Sequence, residues 1–407
     1  MTDATIDLRT RFDGDLPATT AVAFFDADLP RLFSTEAEIV ASTERLDLRP
    51  LAVLVDEVAW TVWRDESRQL QVAHASATTP DPVETWRLTA QELSDVVNDQ
   101  VTPVGLMTAG SLSLERNRIA RVMDWWLVWR ALLDHRTVFT PGSIAVDDDL
   151  LRPFTIDDYP AELRGFLQRN GFLHLRGMFD PADMDRISRD MDTAAPTYSP
   201  DDGRSWWATL TDGSRRVVRM QYFDEHSPTT VGLLASAPYE SLASIPGCGH
   251  SSAYRSPNHI EALFKPLNVD QGISDIPWHK DCSLGRHSYN CCGLTVGISV
   301  TGGGPTSGQL RVIAGSHRAL VWPSLFDPST LGLPDVALPT EAGDVTLHLS
   351  CTMHMAQPPT ANSRRVMYTG FALPPRDPAA AAAANRRLLS AARERAPLTT
   401  SQSATPY

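Results

Sequence analysis

The sequence predicts an α+β chain, in which a smaller α/β domain precedes a β-barrel or jelly roll with flanking helices. Two observations carry this reading. Residues 1 to about 147 combine alternating apolar segments with two amphipathic or apolar helical ones. From about residue 154 onward the chain opens helix–strand–helix and then breaks into short β-branched segments with Gly and Pro between them.

Composition narrows the partners. The chain has 407 residues, and 42% are hydrophobic, enough for two or three domains that each bury a core. The net charge of −13 argues against nucleic acid, which needs a basic footprint, and against anionic membrane surfaces. The acidic residues are spread along the chain and read as solvated surface. No apolar run reaches the ~20 residues of a membrane helix, so no membrane insertion is expected. The opening "MTDATIDLRTRFDGDLP" lacks the apolar stretch of a signal peptide. The five cysteines are Cys248, Cys282, Cys291, Cys292 and Cys351. They are odd in number and form no Cys-x-x-Cys pair, which points to a reducing, cytoplasmic setting. Only Lys265 and Lys280 are lysines, so arginine richness reflects a compositional bias and carries little meaning alone.

In the first domain, "RPLAVLVDEVAWTVWRDESRQLQVAHASA" alternates as two strands joined by a charged turn. "WRLTAQELSDVVND" places Thr89 as N-cap and Glu92 three residues on, a capping box ahead of Leu93, Val96 and Val97. "VTPVGLMTAGSLSLERN" holds small residues and a short strand. "RIARVMDWWLVWRALLDHR" is an apolar helix whose Trp125, Trp126 and Trp129 either fill a core or wall a lipid site. The stretch from Leu88 to Asn117 resembles the C-terminal half of a sterol-carrier-protein-2-like domain. That resemblance implies an apolar tunnel and carries no catalytic signature.

"TPGSIAVDDDLLRPFTIDDYPAE" is a linker by composition. After it come a helix, a strand at Phe172–Leu175, and a second helix with Asp180 as cap and Pro181 at its first position. "RRVVRMQYF", "HIEALFKPL", "CGLTVGISV", "GQLRVIAGSH", "GDVTLHLSC" and "RRVMYTGFAL" read as the strands of a barrel. The expected organisation is 1–147, 148–376, and an Ala-rich helix with a polar tail over 377–407.

Within the barrel, "IPWHKDCSLG" sets His279 and Asp281 two apart, so on a strand both side chains face one side. Most such triplets are polar turns, so a third ligand must come from elsewhere. His317, His348 and His354 are the candidates; His317 also fits a structural turn role. Two histidines and one carboxylate on one face form the ligand set of non-haem Fe(II) oxygenases, which leaves open positions for a chelating 2-oxo acid and O2. The far carboxylate of such an acid needs a cation. Arg364 and Arg365 lie ten and eleven residues past His354, and only one of two consecutive strand residues can point inward.

The run from residue 154 to about 374 resembles the phytanoyl-CoA dioxygenase family of Fe(II)/2-oxoglutarate oxygenases. "RNGFLHLRGMF", "HIEALFKPL" ahead of "WHKD", "SGQLRVIAGSHR" and "GDVTLHLSCTMHMAQPPTANSRR" match its landmarks in order. The resemblance implies a double-stranded β-helix (jelly roll). It implies Fe(II) held by His279, Asp281 and His354, with 2-oxoglutarate and O2 as cosubstrates and Arg365 as the cosubstrate anchor. Two positions depart from the family. Ala356 stands where a serine is frequent, and Gly297 where a tryptophan can lie beside the cosubstrate. Lys265, Thr295 or Ser299 are the candidates to compensate, and Gly297 suggests a wider pocket. Asp281 disfavours halogenation, because related halogenases lack that carboxylate. Trp206 and Trp207 either line the substrate mouth or belong to a surface hairpin. The expectation is a hydroxylase acting on a small lipidic, acyl or natural-product substrate, with release of succinate and CO2. The alternatives are desaturation or rearrangement at the same site, and an inactive lipid carrier.

Overall fold

The computed structural model describes residues 18–374, apart from 109, 117, 119–121, 256–259, 273–276, 283–292 and 323–326, together with Ser390. Cys291, Cys292 and the Ala-rich C-terminal helix expected from the sequence lie outside the described residues, except for Ser390.

The N-terminal part begins with a π-helical stretch, Ala23–Asp28, then helices α1 (Leu29–Thr35) and α2 (Ala37–Ser42). Strands β1 (Leu51–Val55), β2 (Val58–Arg64), β3 (Leu70–His74) and β4 (Glu84–Leu88) follow. Helices α3 (Ala90–Val97) and α4 (Pro103–Thr108), strand β5 (Ser113–Leu114) and helix α5 (Asp124–Leu133) complete it. The sheet runs β3-β2-β1-β4-β5, with β1 and β4 parallel.

The segment read as two strands holds three. Asp56, at φ 53°, closes a tight turn after β1, and Arg68, at φ 66°, belongs to the turn between β2 and β3. Aspartate tolerates this left-handed region better than most residues, and no Gly-containing dipeptide marked the turn. The capping box is present: Thr89 Oγ1 accepts from Glu92 N at 3.2 Å, and Glu92 Oε2 accepts from Thr89 N at 2.8 Å. Trp125, Trp126 and Trp129 are core residues. They are at most 2% exposed, and Trp129 meets Phe24, Phe25 and Trp86 edge-on.

The second part contains α6 (Pro160–Asn170), β6 (Phe172–Leu175), α7 (Pro181–Ala194), β7 (Ser205–Leu210), β8 (Arg215–Met220), α8 (Pro228–Leu234) and α9 (Ala237–Ser241). Then come β9 (Glu261–Lys265), β10 (Val269–Gln271), β11 (Gly293–Ser299), β12 (Leu310–Ile313), β13 (Asp335–Leu338), β14 (Val345–Leu349), β15 (His354–Ala356) and β16 (Arg364–Ala372). Asp180 caps α7 through Ala182 N at 2.8 Å, with Pro181 next. The large sheet is ordered β10-β7-β8-β9-β16-β11-β14-β6 and the small one β13-β12-β15, the two sheets of a jelly roll.

Alternation along β16 fixes which side chains enter the barrel. Met367 touches Thr230 of α8, and Thr369 and Phe371 touch Tyr239 of α9, so odd-numbered residues face the outer helices. Arg364, Val366, Tyr368 and Gly370 therefore face inward. Register carries this face across the sheet to Lys265 and Leu263 on β9, to Thr295, Gly297 and Ser299 on β11, and to Thr346 and His348 on β14.

The two parts are stitched together along residues 316–322. Leu320 is buried in the N-terminal aromatic core, Trp322 Nε1 donates to Asp124 Oδ1 at 2.7 Å, and Arg136 Nη2 donates to Arg318 O at 3.0 Å. Among the described residues no helix is long and apolar enough to cross a membrane.

Candidate metal centre

His279 and His354 arrive from different segments and pair as backbone: His279 N donates to His354 O at 3.0 Å, and His354 N donates to His279 O at 2.9 Å. This bridge adds His279 to the small sheet beside β15. The expected strand through His279 and Asp281 is absent; His279 is a single bridged residue, and Asp281 lies in the turn after it. The two side chains converge all the same. Ligand atoms of His279, Asp281 and His354 all lie within 4.8 Å of one another.

Each imidazole is oriented from behind. His279 Nδ1 is 2.7 Å from Pro277 O, and His354 Nδ1 is 2.8 Å from Thr352 O. A carbonyl only accepts, so each Nδ1 carries the proton and each Nε2 offers a lone pair to the shared space. There His279 Nε2 lies 3.1 Å from Asp281 Oδ1, and His354 Nε2 lies 3.8 Å from Asp281 Oδ2. Lone pairs aimed at a carboxylate at this range call for a cation between them. Ligands bound at ~2.1 Å and at right angles sit about 3 Å apart, so the spacing suits one metal ion.

Electrostatics agree. Burial alone raises the Asp281 carboxyl, but His354 and His279 outweigh it and hold the group well below the carboxylate range. Burial, then His279 and His348, push His354 well below the usual imidazole value, which keeps it neutral and able to ligate. The Asp281 side chain is 42% exposed against 8% for His279 and 9% for His354, so the centre opens on the carboxylate side.

His348 and His354 do not share a strand. The chain leaves the large sheet after β14, turns at Ser350–Met353, and joins the small sheet as β15. The two rings nonetheless meet at a tilt of 47° with centroids 4.3 Å apart, His348 lying against His354 from across the barrel. Gly171, at φ 83°, admits this turn. A Cβ there would come within 2.4 Å of His317 Nδ1 and 2.6 Å of Thr352 Oγ1. His317 is thus a structural turn residue, its Nε2 2.9 Å from Gln168 O.

The two arginines are parted by strand parity. Arg365 faces the outer helices. It donates to Ser188 O at 2.6 Å, pairs with Asp192 at 2.8 Å, and lies over the Phe264 ring. Its expected place as inward cosubstrate anchor is corrected on that ground: β16 begins at Arg364, and Arg365 falls on the wrong face. Arg364 is buried on the inner face and donates from Nη1 to Gly308 O at 2.6 Å. Its Nε is buried with no hydrogen-bond partner among the described residues. Directly opposite is Lys265, 2% exposed, with Nζ 3.3 Å from Gln357 O. Two like charges at opposing buried positions suit an anion that binds both.

The other expected residues divide. Thr295 lies on the inner face opposite His348, its hydroxyl 3.2 Å from Ser350 Oγ. Ser299 is taken up by Thr340 at 2.8 Å. Gly297 does not widen the pocket, because the Tyr368 ring covers it; a Cβ would meet Tyr368 Cε1 at 3.0 Å and Thr346 Oγ1 at 2.7 Å. Trp206 stands on the inner face under the Arg219 guanidinium, 4.8 Å from its ring centroid, and Arg219 pairs with Glu261 at 3.4 Å. Trp207 points the other way, toward the main core, and its indole donates to Ser205 Oγ at 2.9 Å. It is removed from the substrate-pocket set for that reason. Tyr368 and the buried Lys280 escaped the sequence reading. Lysine scarcity was the signal available for Lys280: both lysines of the chain are buried.

Residues 167–367 match the phytanoyl-CoA dioxygenase (PhyH) family. No curated protein matches the chain. Among solved structures, AviO1 from Streptomyces viridochromogenes Tue57 is 19% identical with a TM-score of 0.42, over 53% of this chain and 96% of that one. The non-haem α-ketoglutarate-dependent epimerase SnoN from nogalamycin biosynthesis is 17% identical with a TM-score of 0.41, over 52% and 82%. EctD from S. alaskensis with 2-oxoglutarate and 5-hydroxyectoine is 17% identical with a TM-score of 0.41, over 57% and 86%. The protein carries, over residues 167–367, a domain of the phytanoyl-CoA dioxygenase family, whose members are Fe(II)/2-oxoglutarate oxygenases.

Proposed function

We propose that the protein hydroxylates a small molecule, with His279, Asp281 and His354 as iron ligands and Arg364 as the anchor of 2-oxoglutarate. The observation that carries this is the convergence of three ligand atoms within 4.8 Å, with both imidazoles turned Nε2-inward. When bound, iron with 2-oxoglutarate and O2 supplies oxidation of an unactivated C–H bond, with release of succinate and CO2.

The chain's own residues divide the remaining work. Pro277 O and Thr352 O hold the Nδ1 protons and so keep both Nε2 atoms free to ligate. Arg364 and Lys265 meet the far carboxylate of the cosubstrate; a guanidinium grips both oxygens at once, and the ammonium adds charge. Thr295 offers a hydroxyl on the same face, and Tyr368 walls the space over Gly297.

The substrate face of the large sheet carries Trp206, Arg219, Glu261 and Tyr368. Aromatic and polar groups on one wall suit a natural product bearing oxygen functions better than a bare acyl chain. Anaerobic addition of Fe(II) and 2-oxoglutarate tests the site. A visible charge-transfer band should form in the wild type and vanish in His279→Ala. Metal uptake with no 2-oxoglutarate band would instead favour a cupin-like protein with another cosubstrate. Succinate release across oxygenated natural products, acyl thioesters and lipids then tests the substrate class.

A further inference from the structure

Both ligand-bearing segments lean on one turn. Lys280, between His279 and Asp281 in the chain, is 0% exposed, and its Nζ donates to Ser316 O and Ala319 O, each at 2.8 Å. On the other segment, Met353 N donates to Ser316 Oγ at 2.7 Å, one residue before His354. The residue adjacent to every ligand is thus hydrogen-bonded to residues 316–319.

The same stretch is anchored at its far end in the N-terminal part. Leu320 is 3% exposed within the aromatic core around α5. Trp322 Nε1 donates to Asp124 Oδ1 at 2.7 Å, and Arg136 grips Arg318 O at 3.0 Å. Seven residues therefore join the metal ligands to a core built by another part of the chain.

We propose that Lys280 and Ser316 are positioning residues, and that docking of the N-terminal part sets the geometry of the metal ligands through residues 316–322. The proposal rests on the reading of His279, Asp281 and His354 as iron ligands. The physical ground is that a ligand set works only when its supports fix it to about half an ångström. Lysine suits the role. Its compact ammonium reaches two carbonyls inside one turn, and a buried ammonium is costly to leave without acceptors. The N-terminal part is on this view a support for the catalytic centre and not a detachable carrier.

The test uses full-length protein and Fe(II) affinity measured against a chromogenic chelator without O2. Lys280→Met and Ser316→Ala are expected to weaken Fe(II) binding roughly 10- to 100-fold, the range for lost supports behind metal ligands. Trp322→Phe keeps most of the apolar contact and removes the bond to Asp124; it is expected to weaken Fe(II) binding at least ~3-fold, below the support range because it acts at one remove. Tyr239→Phe removes a buried hydrogen bond of 3.0 Å to Thr369 on the outer face, so it should cost fold stability and leave Fe(II) affinity at the wild-type value. Wild-type affinity in Trp322→Phe, or equal weakening in Tyr239→Phe, overturns the coupling. A wild-type protein that takes up no Fe(II) overturns the iron reading itself.

Discussion

Arg364 and Lys265 stand directly opposite one another on β16 and β9, both buried on the inner face of the large sheet. Their neighbour Arg365 is turned outward to Ser188 and Asp192 of α7. The pair therefore separates two residues that spacing alone could not. Arg364→Gln should raise the KM for 2-oxoglutarate roughly 10- to 100-fold, the worth of a lost charge-assisted pair. Arg365→Gln should leave that KM near wild type and cost about 1 kcal/mol of stability or less. Steady-state succinate assays over a cosubstrate range distinguish them, and a large effect confined to Arg365 would sink the assignment.

Tyr368 and Gly297 are complementary in size. A methyl at Gly297 would press on the Tyr368 ring at 3.0 Å and on Thr346 Oγ1 at 2.7 Å. Gly297→Ala should destabilise by about 1–3 kcal/mol, as overpacking does, and weaken 2-oxoglutarate binding as the ring shifts. Adding Tyr368→Leu should recover much of both. Denaturant melts and cosubstrate titration of the single and double variants give the coupling, and strictly additive effects would contradict the contact.

The metal-free protein should lose stability in mild acid. Burial, then His279 and His348, depress His354 below 6.5, so the unfolded chain binds a proton that the folded one refuses. This group leaves stability unchanged above pH about 6.5. Below it, stability falls by up to ~1.4 kcal/mol per pH unit until the folded value is passed. Asp281 acts lower down. Burial raises its carboxyl, but His354 and His279 hold it depressed, so its contribution is present above 3.8 and lost as pH falls further. Bound Fe(II) displaces the imidazole proton and should widen the stable range. Denaturation midpoints at pH 7.5, 6.0 and 5.0, with and without metal, check this; a flat metal-free series is the contrary outcome.

Trp129 tests what the N-terminal part is built around. It is 2% exposed and meets Phe24, Phe25 and Trp86 edge-on. Trp129→Ala should cost about 3–5 kcal/mol, the price of a large core truncation. If the tryptophans instead lined a lipid site, the loss would fall mainly on the binding of a fluorescent fatty acid, with the melting temperature little changed.

The sequence was most legible where chemistry is local. Thr89 with Glu92, Asp180 with Pro181, and the strand Phe172–Leu175 needed only neighbours to be read. The grouping of His279 and Asp281 with His354 was legible only through the ordered landmarks of the family resemblance, because residue type alone left His317, His348 and His354 open. What failed was parity. The turn after His354 sets where β16 begins, and a shift of one residue exchanges Arg364 for Arg365. Equally hidden was the passage between sheets at Ser350–Met353, which brings His348 against His354 although they lie on different strands. The third strand of the N-terminal segment was missed because Asp56, not glycine, takes the left-handed turn.

With Lys265 at 2% exposure and Lys280 at 0%, every lysine of the chain is buried, Lys265 within the barrel and Lys280 beneath the turn at residues 316–319. Amine-acylating reagents that decorate ordinary protein surfaces will find no lysine to modify while the fold is closed. Modification of Lys280 would then be a clock for how frequently the turn at residues 316–319 lets go, readable by mass spectrometry without any knowledge of the substrate.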